Sequence, residues 1–124
     1  MEKFTRTPTE YTPLVDFDPQ SGQMLISGKS VPFNPSEFYI PIFDWLRFYM
    51  EHQAPETTVT IALSYCNSST INWLKDILKL LKKMDKPGNN FSLVWQHDKN
   101  DEDSLELGQE LSRYSGIIFK YKSS

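Results

Sequence analysis

Four consecutive small side chains with hydroxyl or amide groups, Asn67 to Thr70, come one residue after a strand-like segment that ends at Tyr65. From Ile71 onward apolar residues recur at helical spacing, so the cluster lies where a strand passes into a helix. The first turn of a helix has unpaired N–H groups and a positive dipole end. Asn or Ser there can cap the helix, and the same geometry favours a phosphate on a hydroxyl. The cluster is therefore either a structural cap or a site for a reversible charge.

The acidic run from His97 to Glu110 is the second stretch that could bind a ligand or partner. A calcium loop starting at Asp98 would need Gly at its sixth position and Glu at its twelfth, where this chain has Asp103 and Gln109. The carboxylates from Asp101 to Asp103 suit a helix N-terminus by charge. We expect either a solvated cap or an acidic contact surface that includes Asp101 and Asp103.

Two shorter features are also candidates for chemistry. The segment Gly28 to Ser30 looks like the end of a phosphate-binding P-loop, but position 23 is Gln rather than Gly and Val31 and Pro32 follow instead of a helix. Cys66 lies beside the expected helix N-terminus, where a thiolate would be stabilised. A small buried residue at the end of a strand is the alternative interpretation. The P-loop is therefore rejected, and Cys66 stays an open candidate.

Composition limits the class of protein. A chain of 124 residues has room for one ordinary domain, and the net charge of −3 gives no reason to expect nucleic acid. The N-terminus has no apolar signal segment and no run reaches membrane-span length, so we expect no membrane insertion. A single cysteine fits a reducing compartment, and we expect the cytoplasm. The sequence has no metal-ligand cluster and no cofactor loop. We therefore expect that the protein is not an enzyme and that it binds no cofactor or metal.

The elements that must position these residues alternate between strands and helices. We expect a flexible N-terminus at 1–10 and a single domain at 11–124, with the order β-β-α-β-α-β-α-β. This order predicts an α/β fold with a mixed, mostly parallel sheet whose first two strands form a hairpin. The expected strands are 11–16, 23–27, 57–65, 91–95 and 117–121, and the expected helices are 35–53, 69–84 and 102–114.

In parallel sheets, function gathers where strands end and helices begin. We therefore expect Asn67 to Ser69 to be exposed at the end of the central strand, with Asp101 and Asp103 near the same edge. The aromatic residues of the first helix are mostly expected in the core, with Tyr39 and Phe48, which lie off the main apolar stripe, as candidates for exposure.

Several of these segments together resemble one family, the bacterial SiaC-type regulatory phosphoproteins, whose fold is similar to the STAS domains of anti-anti-sigma factors. They occur in family order over nearly the whole chain. The matching pieces are Thr12-Pro13, Gly28 to Pro32, FYIPIFDWLRFY at 38–49, LSYCNSS at 63–69 and WQHDKNDEDSLELG at 95–108.

The resemblance implies a partner-switching protein rather than an enzyme. The family's strand-to-helix junction usually reads Asn-Thr-Ser-Ser, and its threonine, the phosphate acceptor, corresponds to Ser68, with Ser69 as the alternative acceptor. Asn67, Ser69, Thr70, Asp101 and Asp103 are the expected partner contacts. Where the family tends to have Glu after the Pro of its first loop, this chain has Phe33.

The expected partners are a Ser/Thr protein kinase, a PP2C-like phosphatase, and a diguanylate cyclase or other target that the unmodified protein activates. Such a switch would place the chain in c-di-GMP signalling and biofilm regulation. Two other classes stay open: a STAS-like domain that binds a small molecule without a phosphoswitch, and an enzyme that uses Cys66 or the cluster from Asp98 to Asp103.

Overall fold

Six strands form one sheet in chain order, and the computed structural model describes all residues 1–124. The pairs β1–β2 and β2–β3 are antiparallel, whereas the pairs β3–β4, β4–β5 and β5–β6 are parallel. The strands are β1 (Phe4–Arg6), β2 (Leu14–Asp18), β3 (Gln23–Ser30), β4 (Glu56–Cys66), β5 (Asn90–His97) and β6 (Lys120–Ser123); the helices are α1 (Pro35–Tyr49), followed by a 3-10 turn (Met50–His52), α2 (Ser68–Leu81) and α3 (Glu102–Ser115).

Each helix connects two neighbouring parallel strands. Right-handed crossovers between consecutive strands place all three helices on the same face of the sheet. One cluster of 22 buried apolar residues fills the space between the helices and that face. On β4 its members alternate, with Val59, Ile61 and Leu63 inward, while Thr60 and Ser64 lie on the uncovered face. The expected α/β fold with a mixed, mostly parallel sheet is confirmed.

The first and last strands of the sheet differ from the expectation. The segment 1–10, expected to be flexible, contains β1, which pairs with β2 while Phe4 packs near Phe17 with ring centroids 6.0 Å apart. A three-residue strand is too short to show a period in the sequence. The last strand begins at Lys120 rather than at 117, because Ile117 and Phe119 are buried in the connection after α3 instead of pairing in the sheet.

A bulge interrupts the pairing of β3 with β4 near the site. Gly28 pairs with Leu63 but Lys29 pairs with Tyr65, so Ser64 has no partner on β3. Such a bulge changes which side chains point inward. After it, Tyr65 is 60% exposed and the next residue, Cys66, is half-buried. The bulge therefore sets the orientation of the residues that lead into α2.

Helix α3 is held against β5 through a close contact. Gly108 is buried, and a Cβ atom there would lie 2.6 Å from Cδ1 of Trp95. The indole N–H of Trp95 donates a hydrogen bond to the Ser104 carbonyl at 2.9 Å. The helix ends at Gly116, whose φ of 79° is a left-handed cap. These contacts fix the N-terminus of α3 beside the end of β4.

Candidate functional site

The N-terminus of α2 is capped by Asn67. Its Oδ1 accepts a hydrogen bond from the Thr70 backbone N–H at 3.1 Å, and its own carbonyl accepts from Ile71 N–H at 3.1 Å. The Ser69 hydroxyl donates to the same Oδ1 at 2.8 Å. The capping interpretation of the cluster is thus correct for Asn67. What the two serines can do depends on how exposed their hydroxyls are.

The three hydroxyl residues of the first turn differ in accessibility. Ser68 is exposed, Ser69 is half-buried with its hydroxyl turned back to Asn67, and Thr70 is completely buried. The expected exposure of the segment therefore holds fully for Ser68 only. The Thr70 side chain, expected among the partner contacts, lies inside the protein because it bonds to the end of β3.

Thr70 belongs to a buried cluster of three hydroxyls. Its Oγ1 donates to the Ser30 carbonyl at 3.0 Å and lies 2.7 Å from Ser30 Oγ, which in turn contacts the Tyr39 hydroxyl. The Ser30 carbonyl also accepts from the Asn67 N–H at 3.3 Å. Ser30, the last residue of β3, thus holds the residues on both sides of Ser68 and Ser69.

The sequence interpretation missed Tyr39 and Ser30. Tyr39 was a candidate for exposure, but it is buried, and its ring stacks on Trp73 with centroids 6.1 Å apart. Tyr39 lies three residues before Ile42 and seven before Leu46, so the helical period itself places it on the buried face. Phe48 is 57% exposed, as expected. No comparable period in the sequence marks Ser30.

Cys66 is a poor nucleophile in this position. It is half-buried at the end of β4, and desolvation of the thiolate raises the pKa of its thiol. At neutral pH the group is protonated. The Nδ1 atom of His97 donates a hydrogen bond to the Asp98 carbonyl at 2.9 Å. His52 lies beside Phe48 with ring centroids 5.9 Å apart. The geometry therefore favours the buried, structural interpretation of Cys66.

The acidic start of α3 lies at the same edge of the sheet. Asp101 caps this helix by accepting from the Ser104 N–H at 3.0 Å, and Asp103 is exposed. Both line a small cleft with Tyr65 and Cys66, the residues that come just before Asn67. Asp101 and Asp103 thus lie at the edge of the sheet where β4 ends, and Asp101 has the expected role of a helix cap.

Exposed aromatic side chains also occur at this edge. Phe33 is 85% exposed on the segment after β3, its ring contacts Tyr11 with centroids 4.4 Å apart, and Tyr65 is 60% exposed. Aromatic residues are enriched in protein interfaces. No pattern in the sequence indicates that these rings are exposed, because neither the bulge at Ser64 nor the loop that turns Phe33 outward has a period.

A shallow groove on the uncovered face of the sheet ends at the same edge. Most of its lining residues are polar, among them Ser27, Ser64, His97 and Asn100. Small-molecule sites are usually deeper and lined mostly by apolar groups. The groove thus gives no positive support to the small-molecule alternative. None of the helices combines the length and the apolarity needed to span a membrane.

This chain is similar to a family model, to a relative by sequence and to solved structures. A family model described as SiaC family regulatory phosphoprotein matches residues 6–123. An uncharacterised protein of Pseudomonas aeruginosa strain UCBPP-PA14 is 35% identical over 103 residues, which cover 82% of this chain and 81% of the relative.

Two solved structures from Pseudomonas aeruginosa share the fold along their whole length. The crystal structure of apo-SiaC has a TM-score of 0.86 with 27% identity, over 100% of this chain and 99% of the other. SiaC in the crystal structure of the diguanylate cyclase SiaD in complex with its activator SiaC has a TM-score of 0.90 with 27% identity, over 98% and 99% of the two chains. This chain is therefore a member of the SiaC family of regulatory phosphoproteins.

Proposed function

We propose that this protein is a partner-switching regulator whose unmodified form binds and activates a diguanylate cyclase, and that phosphorylation of Ser68 ends this activation. A Ser/Thr kinase adds the phosphate and a PP2C-like phosphatase removes it. The protein itself catalyses no reaction. The observation that carries the proposal is the exposed hydroxyl of Ser68 in the first turn of α2, at the position that corresponds to the family's acceptor.

Comparison of the three hydroxyls in this turn supports Ser68 as the acceptor. A kinase needs a hydroxyl that can reach its own active site. Ser68 is exposed, whereas the hydroxyl of Ser69 is bonded to Asn67 and that of Thr70 is buried and bonded to Ser30. Ser68 is therefore the preferred site and Ser69 the alternative.

The position also supports a large effect of phosphate. A phosphoserine adds about −1.5 to −2 charges at neutral pH. At the first turn of α2 this charge faces backbone N–H donors, so the helix tolerates it. The exposed ring of Tyr65 and the carboxylates of Asp101 and Asp103 lie at the same edge. A partner seated on these groups would meet a bulky, hydrated dianion instead of a serine.

Structural relatives support the identity of the target. In Pseudomonas aeruginosa, SiaC is the activator of the diguanylate cyclase SiaD in their crystal structure, and this chain matches that SiaC with a TM-score of 0.90. A diguanylate cyclase from the organism of this chain is the partner to test first.

The test measures cyclase activation by purified wild type, Ser68→Ala and Ser68→Asp, together with phosphopeptide mapping of the protein from its native cell. We expect phosphate on Ser68 and full activation by Ser68→Ala. Ser68→Asp should bind the cyclase roughly 10-fold more weakly or worse, equivalent to about 1.4 kcal/mol.

Ser21→Asp is the matched control. Ser21 lies in the exposed turn between β2 and β3, at the opposite edge of the sheet, so the same added charge should leave activation unchanged. Phosphate on neither Ser68 nor Ser69 would refute the phosphoswitch. Undiminished activation by Ser68→Asp, or an equal loss with Ser21→Asp, would refute the role of the Ser68 surface.

A further inference from the structure

The hydroxyls of Tyr39, Ser30 and Thr70 form a chain with a defined direction. The Thr70 hydroxyl donates its only hydrogen to the Ser30 carbonyl, so Ser30 Oγ must donate to Thr70 Oγ1 at 2.7 Å. The Tyr39 hydroxyl must then donate to Ser30 Oγ. Burial raises the pKa of Tyr39, so this phenol keeps its proton. Every hydrogen in the chain is used, and the chain ends on the last carbonyl of β3.

This chain fixes the turn that carries the two candidate serines. The Ser30 carbonyl accepts from Thr70 Oγ1 at 3.0 Å and from the Asn67 N–H at 3.3 Å. Residues 67 and 70 are thus tied to one atom, with Ser68 and Ser69 between them. The same constraint keeps Asn67 Oδ1 2.8 Å from the Ser69 hydroxyl. Ser69 is held inward while Ser68 points to solvent.

We propose that the Tyr39–Ser30–Thr70 hydroxyl chain is a positioning element that presents Ser68 as the acceptor and withholds Ser69. This inference rests on the proposed function, because it explains which serine that switch uses. Buried polar networks that are fully satisfied specify one arrangement of the surrounding backbone. Without the chain, the first turn of α2 frays, the bond from Ser69 to Asn67 is lost, and the two hydroxyls become similarly accessible.

The first test uses no kinase or cyclase. Single cysteines replace Ser68 or Ser69 in a Cys66→Ala background, and their reaction rates with Ellman's reagent are measured. The cysteine at position 68 should react faster than the one at 69. Adding Thr70→Val should raise the rate at position 69 relative to that at 68 by roughly 2- to 10-fold, the factor that one neutral hydrogen bond supplies.

The fold offers a matched control. Tyr49 and Thr57 form a second buried tyrosine–threonine hydroxyl pair, 2.7 Å apart, at the start of β4. Thr57 is about 30 Å from Cys66 along the strand, at roughly 3.3 Å per residue. Thr57→Val therefore removes an equivalent buried hydrogen bond and should leave the ratio of the two rates unchanged. Thr70→Ser keeps the hydroxyl and should restore the wild-type ratio.

Tyr39→Phe cuts the chain at its other end and should change the ratio in the same direction, which keeps the test decisive if Thr70→Val does not fold. Phosphopeptide mapping of Thr70→Val should then show a larger share of phosphate on Ser69. An unchanged ratio in both variants, or an equal change in Thr57→Val, overturns the inference. A wild type without phosphate on either serine would instead refute the proposed function, whatever the labelling rates show.

Discussion

Accessibility of individual side chains decides what each polar residue around α2 can do. The Ser68 side chain is exposed, the Ser69 hydroxyl is bonded to the Asn67 cap, and the Thr70 hydroxyl is bonded to Ser30 inside the protein. Cys66 is one residue before the cap, yet its thiol is kept neutral by desolvation rather than activated by the helix. Proximity to a helix N-terminus therefore does not by itself make these groups alike.

The titration of Cys66 follows from its burial. The thiol has an ordinary pKa of 9.0, and desolvation raises it, so the rate of alkylation by iodoacetamide should increase with pH along a curve whose midpoint lies above 9.0. Because the folded-state pKa is raised, the stability from this thiol is present below pH 9.0 and is lost as the pH rises through the folded-state value. A midpoint below 9.0 would show an activated thiolate and revive the enzyme alternative.

At this scale the sequence predicted the helix cap and the exposed serine, but not which of the neighbouring hydroxyls are buried. Asn67 as a cap and Ser68 as an exposed hydroxyl follow from residue type and from the change of period at Ile71. The burial of Thr70 depends on Ser30, which is 40 residues away in the chain. Contacts over such a distance leave no periodic pattern in one sequence.

The ends of the strands and helices, and the way these elements pack, position the residues of the candidate site. The strand and helix alternation from β3 to α3 was visible in the sequence because long, strongly periodic segments show their type. Strand β1 and the bulge at Ser64 were not visible, since three residues or one unpaired residue give no period. The bulge matters for the site, because it turns Tyr65 outward and Cys66 inward.

The packing of α3 on β5 gives a prediction about one glycine. In Gly108→Ala the new Cβ would lie 2.6 Å from Trp95, a ring that is 99% buried and has little room to move. Overpacking costs about 1–3 kcal/mol, and with so short a contact to a buried ring we expect this cost to exceed the roughly 1 kcal/mol that alanine adds as a better helix former. Urea denaturation should show a lower free energy of unfolding for Gly108→Ala.

Gln109→Ala on the same helix is the control, because Gln109 is exposed and should change stability by less than about 0.5 kcal/mol. If Gly108→Ala were instead more stable than the wild type, the contact between α3 and Trp95 would have to be looser than the structure shows.

At the scale of the whole molecule, the charges around one edge of the sheet are expected to influence how a partner associates. The parallel strands β3, β4 and β5 all end at this edge, which brings Phe33, Tyr65, Ser68 and the acidic start of α3 together. Clusters of one charge at an interface steer partners and set the association rate more than the final affinity. The acidic residues are therefore expected to favour a partner with a basic patch.

The double variant Asp101→Asn with Asp103→Lys tests this expectation. Asn retains the cap at position 101, so the helix should stay intact while the surface loses its negative charge. We expect slower association with the diguanylate cyclase and a weaker dependence of the association rate on salt, both measured by surface plasmon resonance.

Glu110→Lys is the control, because it changes the net charge by +2, against +3 for the double variant, at an exposed residue in the second half of α3. Unchanged association of the double variant would return Asp101 and Asp103 to the role of a solvated helix cap.

The order of the strands in the sheet places the two chain termini differently with respect to Ser68. β1 runs parallel to β3 and starts level with Met24, so the N-terminus emerges at the edge away from Ser68. The C-terminus follows β6 and returns to the Ser68 edge, where the Ser124 N–H donates to the His97 carbonyl at 2.9 Å. An affinity tag or fluorescent fusion at the C-terminus would therefore crowd the candidate interface, whereas the same fusion at the N-terminus would leave it free.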